Sequence, residues 1–306
     1  MSQKPIPLNW LILVMLGFIW GMSFMGVEIA LEGFSPMTIA AMRITIAAIT
    51  LNFLSYYLGY KLPRINQKNG RKILLCCIGM GFFSNLLPFS LLSWAQINVS
   101  SSFAGIAMAV VPLIVLPLSH FLIPNMRMTL IKFIGFLIGF LGILILIGPK
   151  DIFIFENNIN LIAKIACVCA SICYAFGSII TRLSPTVNLI SFSACSLLIA
   201  SIFIIPIAIY FEGFPKYESW VSITGVIYLG LFPTAIATIF LVYLINEVGP
   251  PFLSLVNYQV PVWAVLIGYF ILDENLPNTF IIALIIILFG LFISQYSGKG
   301  YFKLKE

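Results

Sequence analysis

The chain alternates long apolar runs with short polar stretches, and this alternation predicts its architecture. Each run is about 20 residues or longer, which is the length that a helix needs to cross the hydrocarbon core of a membrane. The ten runs lie at residues 9–31, 36–58, 73–96, 102–123, 129–148, 160–181, 188–211, 220–245, 251–272 and 278–297. The pattern therefore predicts an all-α polytopic membrane protein with ten transmembrane helices.

One stretch of the chain occurs twice. Gly81–Pro112 is echoed by Gly230–Pro261 at a constant offset of 149 residues, and the matches include glycine, phenylalanine and proline. We interpret the echo as an internal duplication, with the first repeat in residues 1–150 and the second in residues 151–306. Five spans separate the copies, so they are expected to face opposite sides of the membrane. Such inverted repeats are typical of alternating-access carriers, whose site lies near the bilayer midplane.

Composition and charge agree with a membrane protein. Apolar residues make up 61% of the chain and charged residues 8%, against about 25% charged in soluble domains. The net charge of +6 is scattered over short loops, unlike the continuous basic patch of a nucleic-acid-binding protein. With a cytoplasmic N-terminus, twelve Lys and Arg residues fall in cytoplasmic segments and three in outer segments. The positive-inside rule therefore predicts two cytoplasmic termini in an inner (plasma) membrane.

The reactive side chains of the sequence do not suggest a metal or a cofactor. The six cysteines lie within predicted spans, where we expect small buried apolar residues rather than disulfide partners. The Cys169-x-x-x-Cys173 spacing differs from zinc motifs, and the only histidine, His120, lies in another span. The chain also has no P-loop, which excludes an ATPase engine within it.

Specific motifs stand near both ends of the chain. The first two runs hold Trp20-Gly21-Met22-Ser23-Phe24, the turn Gly33-Phe34-Ser35-Pro36, and Arg43. The last two runs hold Leu253-Ser254-Leu255, Pro261, Gly268, Asp273-Glu274 and Gly290. Over nearly the whole chain this arrangement resembles the EamA transporters of the drug/metabolite transporter superfamily, which have ten helices in two five-helix repeats. The second repeat departs from the pattern, because Tyr174-Ala175-Phe176-Gly177-Ser178 replaces the Trp-Gly motif and no arginine corresponds to Arg43.

The resemblance implies a secondary-active or facilitative transporter that moves a small metabolite, such as an amino acid or an amphipathic amine, through a central cavity. Export is the commoner direction in that family, and a proton is a candidate coupling ion through Glu28 or Glu32. Two alternatives stay open: a non-transporting membrane scaffold or channel, and an intramembrane enzyme. An enzyme needs a paired catalytic constellation, and the chain has no HExxH or GxSxG motif. We therefore expect no catalysis.

Arg43 is the most informative single residue, because a charge within a span is costly and faces either a partner or a cavity. It stands about 10 Å below the outer end of the second run, and Glu28 lies near the outer end of the first. One interpretation is a structural brace, in which Arg43 pairs with Glu28 or with a backbone carbonyl. The other is recognition of a substrate carboxylate.

A group of polar and aromatic residues falls on the first, third, sixth, eighth and ninth runs, which the EamA family places around its central cavity. With Arg43, these candidates for substrate binding are Trp20, Ser23, Trp94, Tyr174, Tyr243, Asn257, Tyr258 and Gln259. Aromatic rings with a few convergent polar groups make a pocket for a small amphipathic solute. The alternative is that these residues join helices through hydrogen bonds and aromatic packing.

Other residues are candidates for structural or mechanical roles. Pro112 and Pro261 occupy matched positions of the two repeats, so they are either hinges for alternating access or static kinks. Glu274 is expected to tie the outer end of the last hairpin, and Glu28 is also assigned a structural role.

A stripe of small residues runs along the fifth span. Gly135, Gly139 and Gly142 have the spacing that lets helices pack closely. The stripe serves either packing within a monomer or contact in a homodimer.

Overall fold

The computed structural model describes residues 5–123, 128–148, 159–216, 219–248 and 250–295. All regular structure in these ranges is helical, and the helices are α1 (Pro7–Leu31), α2 (Pro36–Tyr57), α3 (Gly70–Ala95), α4 (Ser101–Leu122), α5 (Leu130–Ile147), α6 (Ile159–Leu183), α7 (Leu189–Glu212), α8 (Trp220–Glu247), α9 (Val256–Ile271) and α10 (Asn278–Gln295). Within the described ranges, nine are long and apolar enough to cross a membrane. The shorter apolar helix α9 follows a single turn at Pro250–Leu253.

The prediction of an all-helical protein with many apolar spans is confirmed. Each helix bound lies within five residues of the predicted one. The predicted repeat boundary at residue 150 falls outside the described residues, as do several of the charged positions used for orientation. We call the end of the bundle that holds the α1–α2 connection the outer end, following the predicted orientation.

Helix starts follow local chemistry. Pro7 and Pro36 occupy the first positions of α1 and α2, where a missing N–H costs little because the first amides of a helix have no helical acceptor. Thr129 and Asn188 precede α5 and α7, and their side-chain oxygens accept hydrogen bonds from amides in the first turn.

Two helices contain a π-helical segment near their middle, Gly81–Leu86 in α3 and Leu231–Ile236 in α8. In each segment a polar side chain bonds to the carbonyl five residues earlier. The Asn85 amide donates to Met80 O at 3.3 Å, and the Thr234 hydroxyl donates to Leu229 O at 2.8 Å. Both donors and both acceptors are related by the 149-residue offset of the sequence echo. The two halves of the chain therefore share the same local structure, a π-helical segment, and such segments are frequent at functional sites.

The two candidate hinge prolines have different surroundings. α4 is interrupted at Met108 and Ala109, and Pro112 stands in the first turn of the helical segment that follows. A proline in a first turn removes no helical hydrogen bond. In α9 the helix continues through Pro261, and its interruption lies earlier, before Val256. A hinge role for both prolines stays a prediction. Sequence reasoning did not single out Pro117, which lies inside the second segment of α4.

Two carboxylates join helices at the outer end. Glu212, at the end of α7, accepts hydrogen bonds from the amides of Met37 and Thr38 in α2, at 2.9 and 2.7 Å. Glu274, after α9, accepts from the amides of Ser101 and Ser102 at the start of α4, at 2.7 and 3.1 Å. A carboxylate at a helix N-terminus satisfies unpaired amides and complements the helix dipole. Each carboxylate therefore links the second half of the chain to the first.

The glycine stripe of α5 packs against α10 of the same chain. A Cβ at Gly290 of α10 would lie 2.4 Å from the Gly139 nitrogen and 2.6 Å from the Gly135 carbonyl oxygen. A Cβ at Gly142 would lie 2.6 Å from the Ile287 side chain. These separations are shorter than real contacts of a Cβ, so the absence of side chains lets the two backbones approach. The stripe serves packing within the monomer.

Candidate substrate site

Arg43 of α2 is held on two sides. Its Nε donates to Thr234 Oγ1 of α8 at 3.0 Å. Its Cζ lies 3.7 Å from the ring centre of Phe89 in α3. Only 6% of the residue is exposed. A planar guanidinium that is fixed by one hydrogen bond and one ring face has a defined orientation.

Thr234 reaches Arg43 because of the π-helical segment in α8. Pro233 has no N–H, so the carbonyl of Leu229, four residues before it, loses its usual helical donor. The Thr234 hydroxyl donates to that carbonyl and uses an oxygen lone pair to accept from Arg43. The helices α2 and α8 are close here, since a Cβ at Gly230 would lie 3.2 Å from the Arg43 carbonyl oxygen.

Arg43 has no carboxylate partner in the described part of the chain. The suggested pair with Glu28 is not formed, because Arg43 binds Thr234 while Glu28 lies beside Gln96 and Glu274. The two Nη nitrogens of Arg43 have no hydrogen-bond acceptor among the described residues, and neither is among the fully enclosed unpartnered atoms. The guanidinium can therefore donate two parallel hydrogen bonds to an anion.

Trp20 of α1 borders the same π-helical segment. Its indole Nε1 donates to Pro233 O at 3.1 Å, one residue before Thr234 in the chain. Ser23, one turn further along α1, is buried and donates to the Trp20 carbonyl at 2.7 Å. The Trp20 side chain therefore joins α1 to the site, whereas the Ser23 hydroxyl is satisfied within its own helix.

Two further aromatic residues lie near Arg43. Tyr174 of α6 meets Phe89 edge to face, with ring centres 6.4 Å apart. Tyr228 of α8 stacks on Phe232 at 5.5 Å, and its hydroxyl donates to Ile19 O of α1 at 3.4 Å. Both tyrosines are near enough to interact electrostatically with Arg43. We call Trp20, Arg43, Phe89, Tyr174, Tyr228 and Thr234 the arginine cluster.

The remaining candidates do not join the arginine cluster. Four of them, Tyr243, Asn257, Tyr258 and Gln259, lie on the halves of α8 and α9 that are farther from the outer end. The Tyr243 hydroxyl donates to Asn9 Oδ1 of α1 at 3.4 Å, and Asn257 Nδ2 donates to Ser254 O at 3.1 Å. We call these four residues the inner group. Trp94 stands at the outer end of α3, partly buried against the hydrophobic core.

Sequence reasoning missed three members of the arginine cluster: Phe89, Tyr228 and Thr234. A signal for Thr234 was present, because Asn85 and Thr234 are polar residues in apolar runs at the 149-residue offset. Phe89 and Tyr228 gave no such signal, since an aromatic residue in a span is usually simple packing.

The described residues contain no group of three or more His, Cys, Asp or Glu side chains that could hold a metal ion. All six cysteines are free thiols. His120 accepts a hydrogen bond at Nδ1 from the Met128 amide at 3.2 Å, so it has a local structural partner. Among the described residues, the arginine cluster offers a buried cation and aromatic rings, and no group that could hold a metal ion.

The helices and the cluster define a multi-pass membrane protein with a polar, aromatic site between its spans, which is the build of a transporter. The EamA-like transporter family matches residues 8–148 and again residues 161–296. The chain belongs to this family.

Individual relatives agree with this assignment. The chain is 28% identical to the inner membrane transporter YedA of Escherichia coli K12, over 94% of this chain and 90% of YedA. It is 21% identical to the transporter YoaV of Bacillus subtilis, over 93% of this chain and 97% of YoaV. A solved crystal structure with 19% identity has the same fold, with a TM-score of 0.66 over 94% of this chain and 96% of that one.

Proposed function

We propose that this protein is a secondary transporter that exports a small carboxylate-bearing solute, an amino acid or a related organic acid, across the inner membrane. The solute binds at the arginine cluster, and the protein exposes the cluster to the two sides of the membrane in turn.

The observation that carries the proposal is the uncompensated charge of Arg43. A buried cation is costly unless an anion pairs with it. The described chain supplies a hydroxyl and a ring face to Arg43 and no carboxylate. A substrate carboxylate supplies the missing charge.

The cluster has the parts that such a solute needs. The two free Nη nitrogens match the two oxygens of a carboxylate, and charge-assisted hydrogen bonds of this kind are worth about 1.5–3 kcal/mol each. Trp20, Phe89 and Tyr174 offer aromatic surface for an apolar side chain. A solute with only an ammonium group would meet the positive charge of Arg43, so an amphipathic amine without a carboxylate is the less favoured substrate.

The matched π-helical segments support a two-repeat mechanism. We infer that residues 1–150 and 151–306 are inverted repeats, with both termini in the cytoplasm. Asn85 and Thr234 occupy equivalent places, and the offset between them is the one in the sequence echo. Equivalent π-helical segments in two inverted halves suit a carrier whose halves move relative to each other around a central site. Arg43 has no counterpart in the second half of the chain. In this proposal the first half therefore supplies the positive charge that binds the anion.

Counterflow in proteoliposomes tests the proposal. Vesicles loaded with one unlabelled amino acid or organic acid should take up the same labelled solute transiently above equilibrium, because a carrier exchanges while a scaffold, channel or enzyme does not. Arg43→Met should abolish counterflow of the active acid, whereas Arg182→Met, which removes an exposed arginine at the end of α6, should retain it. Counterflow that is equal in both variants would show that Arg43 does not bind the solute.

A further inference from the structure

A second polar cluster lies near the outer end, apart from Arg43. Among the described residues, the enclosed side-chain oxygens that have no hydrogen-bond partner are Glu28 Oε2, Gln96 Oε1, Ser101 Oγ and Ser222 Oγ. The first three belong to α1, the end of α3 and the start of α4. Buried polar atoms are nearly always paired, so several unpaired atoms in one region call for a missing partner.

Gln96 and Glu274 bring these atoms together. Gln96 is 5% exposed, and its Nε2 donates to Phe24 O of α1 at 2.9 Å. That bond places the Gln96 amide against the Glu28 carboxylate, one turn further along α1. Ser101 is 1% exposed, and its amide donates to Glu274 Oε1 at 2.7 Å.

The charges around Glu28 are all negative. Glu274, from the connection after α9, and Glu32, at the end of α1, both act on Glu28. No Lys, Arg or His of the described chain is among its electrostatic neighbours. A like charge beside a partly buried carboxylate raises the cost of ionising it. Glu274 is stabilised as an anion by the two amides of α4 that bind it, so the cost falls on Glu28.

One proton on Glu28 would both give the unpartnered oxygens a hydrogen bond and reduce the negative charge of this region. A proton on Glu28 Oε2 removes a negative charge and turns an unpartnered acceptor into a donor. The Gln96 amide contacts the Glu28 carboxylate, and its Oε1 is an enclosed acceptor without a partner that can receive this new donor. A metal cation is less suited, because the described residues offer no group of three or more His, Cys, Asp or Glu side chains.

We propose that Glu28, together with Gln96 and Glu274, forms the proton-binding site that couples this transporter. The proposal rests on the proposed function and deepens it. A proton from outer water bonds to Glu28 Oε2, and that bond breaks on the cytoplasmic side, so one proton enters for each solute exported. A pocket of about 220 Å³, lined in part by Asn98, Ser100 and Phe103, opens on the segment between Gln96 and Ser101 and offers a route for water.

The test uses proteoliposomes with an acidic interior, in which protons leave down the pH gradient and a proton antiporter accumulates solute against the solute's own concentration gradient. One pH unit supports about tenfold accumulation for an exchange of one proton per solute. The wild type should approach this ratio. Glu28→Gln should fall to about onefold and should still show counterflow, which needs no gradient. Glu32→Gln is the matched control, because Glu32 is exposed, and it should accumulate like the wild type.

The two proposals fail in distinguishable ways. Wild-type counterflow without pH-driven accumulation, accumulation that follows a sodium gradient, or full accumulation by Glu28→Gln each overturns the proton site and leaves the carrier intact. Absence of counterflow in the wild type overturns the carrier itself. Should Glu28→Gln fold poorly, Gln96→Leu serves instead, because it removes the acceptor and keeps the carboxylate. It should lower accumulation at least threefold, and an unchanged ratio would refute the site.

Discussion

Replacing Arg43 by methionine separates a brace from a binding residue, because a brace predicts a large loss of stability and a binding residue predicts almost none. Arg43 gains about 1.5–3 kcal/mol from its charge-assisted bond to Thr234 and about 1–2 kcal/mol from the Phe89 ring. Against these gains stands a desolvation cost of several kcal/mol for a buried cation with no anion. Thr234 still donates to Leu229 O without Arg43, so no hydroxyl hydrogen is stranded. The free energy of unfolding should therefore change by less than about 1 kcal/mol.

Ligand binding should respond much more strongly than stability. Two charge-assisted hydrogen bonds to a carboxylate, at the lower value of about 1.5 kcal/mol each, amount to about 3 kcal/mol, or roughly 150-fold in the dissociation constant. A ligand at about 100 times its dissociation constant stabilises the wild type by about 2.7 kcal/mol and would stabilise Arg43→Met by only about 0.3 kcal/mol.

Thermal unfolding of detergent-purified protein, with and without the acid identified by counterflow, measures both quantities. A brace predicts a different result: a loss of up to about 5 kcal/mol without ligand, from the bond to Thr234 and the contact with Phe89, and a ligand-induced shift that persists in the variant. That outcome would refute the assignment of Arg43 to the substrate.

Three further substitutions test the surrounding structure. Thr234→Val should weaken acid binding about tenfold by releasing the guanidinium, whereas Thr238→Val, one turn on, loses only a bond to Thr234 O and should bind normally. Gly290→Ala should lower the melting temperature, since the new Cβ meets backbone atoms of α5. Gly79→Ala, whose nearest new contacts are side-chain atoms of Ile180 and not backbone, should lower it less. Glu212→Ala should cost about 1–2 kcal/mol in unfolding experiments by stripping two amides of α2, and an unchanged stability would contradict the capping role.

The arrangement of spans could be predicted from the sequence because the bilayer imposes it. A run of about 20 apolar residues has few alternatives to a helix in hydrocarbon. The echo of Gly81–Pro112 also corresponds to a shared structure, because the two π-helical segments lie at equivalent positions within the two copies. Proline inside an apolar run marked one of them, at Pro233.

The partners of Arg43 could not be predicted in the same way. Sequence distance suggested Glu28, which lies at a compatible depth on the neighbouring helix. The pairing depends on how helices rotate about their axes, and that rotation is set by close contacts such as the one between Gly230 and α2. A change of one residue in the widened turn of α8 would direct Thr234 elsewhere. The separation of the inner group from the arginine cluster is likewise a matter of packing, which composition does not encode.

Recognition of the transported solute depends, as proposed above, on the bond between its carboxylate and Arg43. Competition in the counterflow assay tests it most directly, with the active acid and its methyl ester offered as unlabelled competitors at equal concentrations. The two compounds share their apolar part and differ in the anionic group. In the wild type, the acid should compete at least about 100-fold better than the ester, because the ester loses about 3 kcal/mol from two charge-assisted bonds. Equal competition by acid and ester would contradict it.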